Sequence, residues 1–485
     1  MSFDPAALSQ MQWQTSRRSF LSLGTQVLGA AALGSLFGQE AFAAEAPIPG
    51  AAVPGGHFKG SAKRVISLFM SGGPPQMDLW DYKPGLAAFN GKDLPPSVLG
   101  KDFQPTGMTA GQSSFPVRAS PWKFQQHGQC GRWVSELLPH TAKLVDDIAV
   151  IKSMRTDAIN HEPAILLANT GAMFAGRPCL GSWLSYGLGS SNQNLPAFVV
   201  LMSTTPHIGN MQVLTSRLWG SGFLSSKHAG VMLRPSGSPV LFLNDPKGLP
   251  RDQRRAMLDG VQALNQRSAS AFGDPETTAR IAQSEMAFRM QTSIPELSDL
   301  SDEPASTWAL YGDEAKIPGS FPFNCLMARR MAERGVRMTQ VYRRGWDLHG
   351  GLTGDLPKLC DATDRATWAL ITDLKQRGMF ADTLVTWGGE FGRTVYSQGG
   401  DGRDHHAKCY TSWMAGGGIK GGIEYGSTDD FSFRVTDKPV EVRDYNATIL
   451  HTLGLDHKKF KVRVTGVDLG LTGVQESKVI KDLLI

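Results

Sequence analysis

Cysteine is scarce in this chain, and so are long apolar runs and any large excess of one charge. The 485 residues include five cysteines that lie far apart, and no Cys-x-x-Cys pair occurs. This spacing excludes a thiolate zinc site and a thioredoxin-like redox pair. Lys and Arg number 49 against 44 Asp and Glu, a formal net charge of +5, so no nucleic-acid partner is indicated.

The N-terminus carries the pattern of an export signal. Arg17 and Arg18 lie in a Ser-Arg-Arg-Ser-Phe-Leu sequence, a mildly apolar stretch follows over Leu21–Phe37, and Ala41-Phe42-Ala43 offers a small-residue cleavage site. The apolar stretch is shorter than the roughly 20 residues of a stable membrane span. We therefore expect residues 1–43 to be a twin-arginine signal peptide that engages the twin-arginine translocase. The mature protein, 44–485, is expected to be periplasmic or otherwise exported from a bacterial cell.

Short apolar runs that end in polar turns alternate with helical patterns along the mature chain. The predicted strands are 65–70, 148–151, 196–202, 336–342, 384–387 and 411–415, and the predicted helices are 160–173, 251–267, 277–291, 322–334 and 356–377. This alternation predicts an α/β protein with a mostly parallel central sheet flanked by helices. Residues 204–300 are a candidate subdomain, and the polar segment Glu296–Ser306 is a candidate flexible insertion.

Carboxylates and imidazoles collect where the predicted strands end. The candidate site residues are Asp78, Asn160, His161, Asp347, His349, Glu390, Arg393, Asp404 and His405. Because ligands of an open α/β sheet bind at the carboxyl ends of its strands, we expect these side chains to share one site. Oxygen and imidazole donors without thiolates indicate a divalent metal, namely zinc, manganese, calcium or magnesium. Arg393 offers a planar fork that suits phosphate or sulfate.

Each of these residues also has a purely structural interpretation. A single histidine is more often a hydrogen-bonded structural residue than a ligand. Asp78 could cap the turn that follows it, and Glu390 with Arg393 could form only a local ion pair. The joint placement at strand ends is what favours a site. No Gly-x-Ser-x-Gly elbow and no Gly-x-x-x-x-Gly-Lys-Ser/Thr loop occurs, so an ordinary α/β-hydrolase and a P-loop protein are not indicated.

Several short motifs are spread over the mature chain. They are Gly72–Asp78, Asn160–Ala164, Gly176–Pro178, Gly181–Trp183, Trp346–Gly350, Glu390–Thr394, Gly402–His405, Trp413–Gly418 and Ala447–His451. Together they resemble the bacterial exported DUF1501 family, which is related to the alkaline phosphatase and sulfatase superfamily. The resemblance implies an alkaline-phosphatase-like fold with a two-metal site. It implies Asp347, His349 and His405 as ligands of one metal, with the turn at Glu390 near the second.

The sequence departs from the superfamily at the position of the covalent nucleophile. The corresponding helix begins with Asn160-His161, which offers neither hydroxyl nor thiol. We therefore expect a hydrolase of phosphate or sulfate esters, small or polymeric, that uses metal-activated water. His161 would be a general acid or base beside Asn160, and Arg393 would stabilise the charged oxygens. Ser153 and Thr156 could attack only if their loop folded back. The alternative is a non-catalytic exported binding or assembly protein that retains the fold.

Overall fold

A nine-stranded, mostly parallel sheet forms the centre of the molecule. The computed structural model describes residues 56–101, 103, 105, 109–204, 206–234, 250–272 and 275–485. The predicted signal peptide, 1–43, lies outside the described residues. Among those described, none of the helices has both the length and the apolar composition needed to cross a membrane.

The strands are short and follow the apolar runs of the sequence. In chain order they are β1 (Arg64–Met70), β2 (Phe124–His127), β3 (Arg132–Ser135), β4 (Ile148–Arg155), β5 (Phe198–Ser203), β6 (Val231–Leu233), β7 (Met338–Arg343), β8 (Thr383–Gly388), β9 (Gly392–Ser397), β10 (Arg403–His406), β11 (Tyr410–Ala415), β12 (Glu424–Tyr425), β13 (Ser427–Thr428), β14 (Val435–Asp437), β15 (Val440–Glu441), β16 (Val462–Val464) and β17 (Val467–Leu469). The central sheet has the order β12-β4-β11-β8-β1-β7-β5-β6, with β15 also paired to β4. Only β11 pairs antiparallel to its neighbours in this sheet. The predicted mixed α/β fold is thus confirmed.

The helices lie between the strands, as the alternating pattern predicts. In chain order they are α1 (Gln76–Leu79), α2 (Pro96–Leu99), α3 (His161–Thr170), α4 (Leu180–Leu188), α5 (Arg251–Phe272), α6 (Pro275–Ser298), α7 (Ala305–Tyr311), α8 (Phe321–Glu333), α9 (Leu352–Gln376) and α10 (Val442–Thr452). Helix α3 ends three residues earlier than predicted, because Gly171 adopts a left-handed C-cap.

The core lies on the faces of the sheet. All six residues of β5, of β7 and of β11 are buried. Strand β5 is nearly continuous in apolar residues, as buried parallel strands are, whereas β7 and β11 also bury polar side chains such as Gln340 and Ser412. Helices α8 and α9 contribute buried Leu326 and Leu370 to the same core as Val341 and Val385. Burial of this apolar area stabilises the sheet at roughly 25 cal/mol per Å² removed from water.

The segment predicted to be a flexible insertion, Glu296–Ser306, is in contact with the core. Glu303 is buried, and its carboxylate contacts Arg329 at 2.6 Å and Arg330 at 2.8 Å. Other polar residues of the segment, such as Asp299 and Ser301, are exposed, and its flexibility stays a prediction. The candidate subdomain 204–300 contains β6, which pairs with β5 at the edge of the central sheet, and the two long helices α5 and α6. Its independence as a subdomain stays a prediction.

The register of three parallel strands brings the loops after β1, β7 and β8 together at one edge of the sheet. Met70 at the end of β1 pairs with Arg343 of β7, and Phe69 pairs with Gly388 of β8. The three strands are parallel, so the loops after them leave the sheet side by side. Gly72 in the first loop has φ of +120°, and a Cβ there would lie 2.3 Å from the backbone nitrogen of Asp347. Glycine therefore lets the loops after β1 and β7 touch.

Candidate metal centre

Four side chains from three parts of the chain meet at this edge. They are His161, Asp347, His349 and His405, and one potential ligand atom from each lies within 4.8 Å of those of the others. His161 is the first residue of α3, Asp347 and His349 follow β7, and His405 lies in β10. Strand β10 pairs with β9, and His405 stands opposite Arg393 there. The hairpin β9–β10 thus delivers a third imidazole to loops that already converge.

The three imidazoles turn the same ring nitrogen toward one carboxylate oxygen. Atom Oδ1 of Asp347 lies 2.8 Å from Nε2 of His349, 3.1 Å from Nε2 of His161 and 3.5 Å from Nε2 of His405. The Nε2 atoms of His349 and His405 are only 3.0 Å apart. Two imidazole nitrogens at this distance repel unless a proton or a cation lies between or beside them.

The other nitrogen of each imidazole is already hydrogen-bonded. Nδ1 of His161 lies 2.6 Å from Oε1 of Glu390, Nδ1 of His349 lies 2.5 Å from Oε1 of Gln398, and Nδ1 of His405 lies 2.7 Å from the carbonyl oxygen of Ile159. Each partner atom is an acceptor, so each Nδ1 donates. A neutral imidazole that carries its proton on Nδ1 presents a lone pair at Nε2, which is the arrangement that orients histidine ligands of metals. The donor set therefore fits a divalent cation.

Burial and charge act differently on the imidazoles. Burial would lower the pKa of His161, but its contacts with Asp347 and Glu390 reverse this and raise the pKa above 6.5. Burial lowers the pKa of His405, which has only Asp347 to oppose the effect and faces the charges of Arg393 and the other imidazoles. The environment thus shifts His405 toward the neutral form and His161 toward the protonated form.

Asp347 is fixed from two sides. Arg393 Nη2 donates to its Oδ1 at 2.6 Å, and Gln212 Nε2 donates to its Oδ2 at 2.7 Å. Burial would raise the pKa of this carboxyl, but its contacts with the three imidazoles and the charge of Arg393 bring it well below its ordinary value. Asp347 is therefore a permanent carboxylate at the centre of the cluster.

Arg393 lies in a different environment from the one expected of an oxyanion-binding side chain. Its side chain is 1% exposed, Nε donates to the carbonyl of Gly73 at 3.1 Å, and Nη1 donates to the carbonyl of Arg403 at 3.1 Å. Nη2 also donates to the carbonyl of Gly72. The guanidinium thus ties the loop after β1 to Asp347 and presents no free edge to a ligand.

Glu390 lies beside the cluster rather than within it. Its Oε1 accepts from Nδ1 of His161 and, at 2.9 Å, from the backbone nitrogen of Gly72. Its Oε2 is buried and has no hydrogen-bond partner among the described residues. A buried carboxylate oxygen without a partner is costly, which marks this atom as a further candidate donor for a cation.

Asp78 and Asp404 are not part of the four-residue cluster. Asp78 is fully buried and makes two contacts with Arg403, at 2.7 and 3.0 Å. Asp404 accepts from the backbone and hydroxyl of Thr109 at 3.0 and 2.5 Å and from the backbone nitrogen of His405 at 2.7 Å. The pairing of β10 with β9 is irregular between Arg403 and His405, and Oδ1 of Asp404 still lies 4.0 Å from Nδ1 of His349. Both carboxylates hold β10 in place.

Helix α3 begins where the sequence predicts it, but the side chains at its start do not all have the predicted roles. Asn160 is the N-cap residue, but its side chain makes no capping hydrogen bond. Ser153 is fully buried and its hydroxyl donates to the carbonyl of Lys438 at 2.7 Å. Thr156, 8% exposed, follows the end of β4 and is bonded through its backbone to Ala407.

Three supporting residues were not singled out from the sequence. Gln398 holds His349, Gln212 holds Asp347, and Arg403 neutralises Asp78. Arg403 had a detectable signal, because it lies inside the motif Gly402–His405. The two glutamines had none, since an amide gains its role only from the partner that the fold brings within 3 Å.

The fold and this site define an α/β protein with a histidine-rich cluster at the carboxyl edge of its sheet that could hold a metal ion. Residues 62–484 match the family described as "Protein of unknown function (DUF1501)", and the chain belongs to that family. No curated protein matches the sequence.

Solved structures with a related fold include several hydrolases. A sulfatase from Pseudoalteromonas sp. is 11% identical, with 81% of this chain and 68% of that chain covered and a TM-score of 0.32. A protein in the alkaline phosphatase superfamily from Vibrio parahaemolyticus is 9% identical, with coverage of 85% and 72% and a TM-score of 0.34. Alkaline phosphatase from the Antarctic bacterium TAB5 is 11% identical, with coverage of 82% and 98% and a TM-score of 0.29. At these TM-scores the likeness assigns no function.

Proposed function

We propose that this chain is an exported, metal-dependent hydrolase of phosphate or sulfate esters in which water attacks directly. The observation that supports the proposal is the convergence of three imidazole Nε2 atoms on Oδ1 of Asp347, with every Nδ1 already donating to an acceptor. Imidazole nitrogens gathered on one carboxylate in this way suit a bound cation and have no use in a hydrophobic core.

In this proposal Asp347, His349 and His405 hold the ion. One carboxylate and two neutral imidazoles suit zinc or manganese better than calcium, which prefers oxygen ligands alone. Three protein ligands leave a position open, as catalytic sites require. When bound, a divalent ion here supplies Lewis-acid stabilisation of the ester oxygens and lowers the pKa of water to about 7.

His161 has the role of a general acid. Its Nδ1 donates to Glu390, its buried Nε2 lies 3.1 Å from Oδ1 of Asp347, and the residue also lines a neighbouring cavity. A carboxylate partner on Nδ1 favours the imidazolium, which can deliver the Nε2 proton to the oxygen of the leaving alcohol. Glu390 therefore positions His161 and stabilises its protonated form, and Arg393 positions Asp347.

Direct attack by water agrees with the hydroxyls near α3. The hydroxyl of Ser153 is committed to a carbonyl, and the tip of the helix has no hydroxyl of its own. A single in-line displacement inverts the configuration at phosphorus, whereas two displacements through an enzyme ester retain it. We expect inversion with a chiral phosphate ester, and a phosphorylated Thr156 or Ser153 trapped during turnover would contradict the mechanism.

Metal analysis beside turnover tests the proposal. We expect His349→Ala and His405→Ala to lose both bound metal and hydrolysis of aryl phosphate or sulfate, and His161→Ala to keep the metal but lose at least about a hundredfold in kcat. His228→Ala is the matched control, because His228 contacts Ser185 outside the cluster and should change neither. Wild-type protein that binds metal yet hydrolyses no ester would instead support the non-catalytic binding protein. Loss of metal in His161→Ala would make His161 a fourth ligand.

A further inference from the structure

A cavity of about 220 Å³ opens directly beside the metal centre. One wall is the first two turns of α3, with His161, Ile165 and Leu166, and the other is the segment from Gln212 to Leu218. His161 is thus shared by the metal centre and the cavity. Anything that occupies the cavity lies within reach of the imidazole that we assign as the general acid.

The second wall is anchored to the site itself. Asn210 forms a bridge with Asp347 and donates to its carbonyl oxygen at 3.1 Å, and Gln212 donates to its carboxylate at 2.7 Å. Gly209 packs so closely on Gly345 that a Cβ would lie 2.2 Å from the Gly345 carbonyl oxygen. The cavity therefore has a fixed position relative to Asp347, as a binding subsite requires.

The lining of the cavity is mainly apolar. Ile165, Leu166 and Leu218 are buried side chains, and Val213 is an apolar side chain that is 81% exposed. Nε2 of Gln212 donates to Asp347, and the polar groups of Thr215 and of the pair Glu162–Arg217 belong to exposed residues. A ligand hydroxyl placed against Ile165, Leu166 and Leu218 would lose its water and find no partner on those side chains, which disfavours sugars and other polyols there.

The solvent side of the cavity carries one weak ion pair. Arg217 and Glu162 approach to 3.4 Å, and their side chains are 64% and 68% exposed. Exposed pairs contribute at most about 1 kcal/mol, so this contact does not close the cavity against a ligand.

We propose that this cavity binds the alcohol part of the ester, and that this part is a single apolar ring or a short branched alkyl chain. The inference rests on the proposed function for the position of the ester group. An apolar cavity of about 150 Å³ already accommodates benzene, so the size fits one ring and excludes an extended polymer chain. The ring would lie against Ile165, Leu166 and Leu218, with Val213 covering it from the solvent side, and its ester oxygen would face Nε2 of His161.

Binding of phosphonates, which cannot be hydrolysed at their P–C bond, tests the subsite without turnover. The metal-loaded mature protein is titrated calorimetrically with phenylphosphonate, methylphosphonate and 2-hydroxyethylphosphonate. We expect phenylphosphonate to bind at least about tenfold more tightly than the other two, since even one methylene in an apolar pocket is worth about that factor. Affinities of the three within twofold of one another, or no binding of any, would overturn the subsite.

Two surface variants locate the ring. Val213→Asp should remove most of the advantage of phenylphosphonate and leave methylphosphonate unchanged, and its exposure means that the fold tolerates the change. Val474→Asp is the matched control, an equally exposed valine outside the cavity at 77% exposure. An advantage that survives Val213→Asp would place the ring elsewhere and refute the proposal.

Hydrolysis of phenyl phosphate, measured on the same samples, separates this inference from the proposed function. Selective binding of phenylphosphonate without hydrolysis would leave the subsite standing and refute the hydrolase. Hydrolysis with no preference for the phenyl group would support the hydrolase and refute the subsite.

Discussion

Two buried clusters of ionisable side chains lie in this fold, and they are neutralised in different ways. Between α8, α9 and the segment before α7, Arg329 contacts Glu303 at 2.6 Å and Asp373 at 2.8 Å, and Arg330 contacts Glu303 at 2.8 Å. At the edge of the sheet, three imidazoles share the single carboxylate of Asp347. The first cluster pairs each cation with anions, whereas the second gathers three imidazole nitrogens around one carboxylate oxygen.

The difference shows which buried polar groups point to function. A network whose charges are satisfied internally needs no ligand, however deeply it is buried, and it serves the packing of helices. A network whose members repel one another needs a proton or a bound cation to stabilise it. The Glu303 network also raises the pKa of Arg330 and lowers that of Glu303 despite burial, so strong pKa shifts alone do not mark a site.

The largest expected effect comes from breaking the satisfied cluster. Arg329→Ala removes the buried guanidinium that contacts both Glu303 and Asp373, so the free energy of unfolding should fall by roughly 3–5 kcal/mol. Denaturant unfolding of the metal-free protein measures it. Arg289→Ala, which removes a more exposed pair with Glu285 and a hydrogen bond to the carbonyl of Gln193, should cost only about 1 kcal/mol. Equal losses in the two variants would contradict the comparison.

The second prediction weakens the metal centre without touching a proposed ligand. Gln398→Ala frees Nδ1 of His349, so the ring loses its fixed orientation and the metal affinity should fall about 10- to 100-fold. Competition with a chelator gives the affinity. Gln398→Glu supplies a carboxylate at the same place and should restore most of it. If the alanine variant bound metal as tightly as wild type, the assignment of His349 as an oriented ligand would fail.

The third prediction separates the clusters by pH. Protons compete with metal for imidazoles whose ordinary pKa is about 6.5, so metal occupancy should drop as the pH falls from 7.5 to 5. Burial would raise the pKa of Glu303, but its bonds to Arg329 and Arg330 lower it below 4.5, so its stabilising contribution is complete above 4.5 and is lost as the pH falls through the lowered pKa.

The difference in unfolding free energy between wild type and Glu303→Gln isolates this contribution from other titrating groups. It should stay constant from pH 7.5 to 5 and shrink below 4.5. A difference that shrinks already near pH 6 would mean that the network depends on a histidine, and the contrast between the clusters would be lost.

The sequence by itself determined six strands of the central sheet, five of the helices and the edge at which the polar residues collect. The hairpin β9–β10, which carries His405, came only from the structure. Continuous apolar runs such as 196–202 can only be buried strands or helices, and their length and polar ends decide between the two. Because parallel strands end at a common edge, the position of Asp347 or Glu390 after a strand was enough to place it near the others.

Only the tertiary structure decided what each polar residue does there. Asp78 and Asp347 both follow a strand, yet Arg403 neutralises the first and three imidazoles surround the second. Arg393 suits an oxyanion by its shape, but carbonyls at Gly72, Gly73 and Arg403 occupy it. Glu303 lies in a polar segment and is nevertheless buried. These roles depend on contacts of about 3 Å between residues far apart in the chain, and hydrogen bonds and Coulomb energies change steeply over distances that the spacing of residues does not specify.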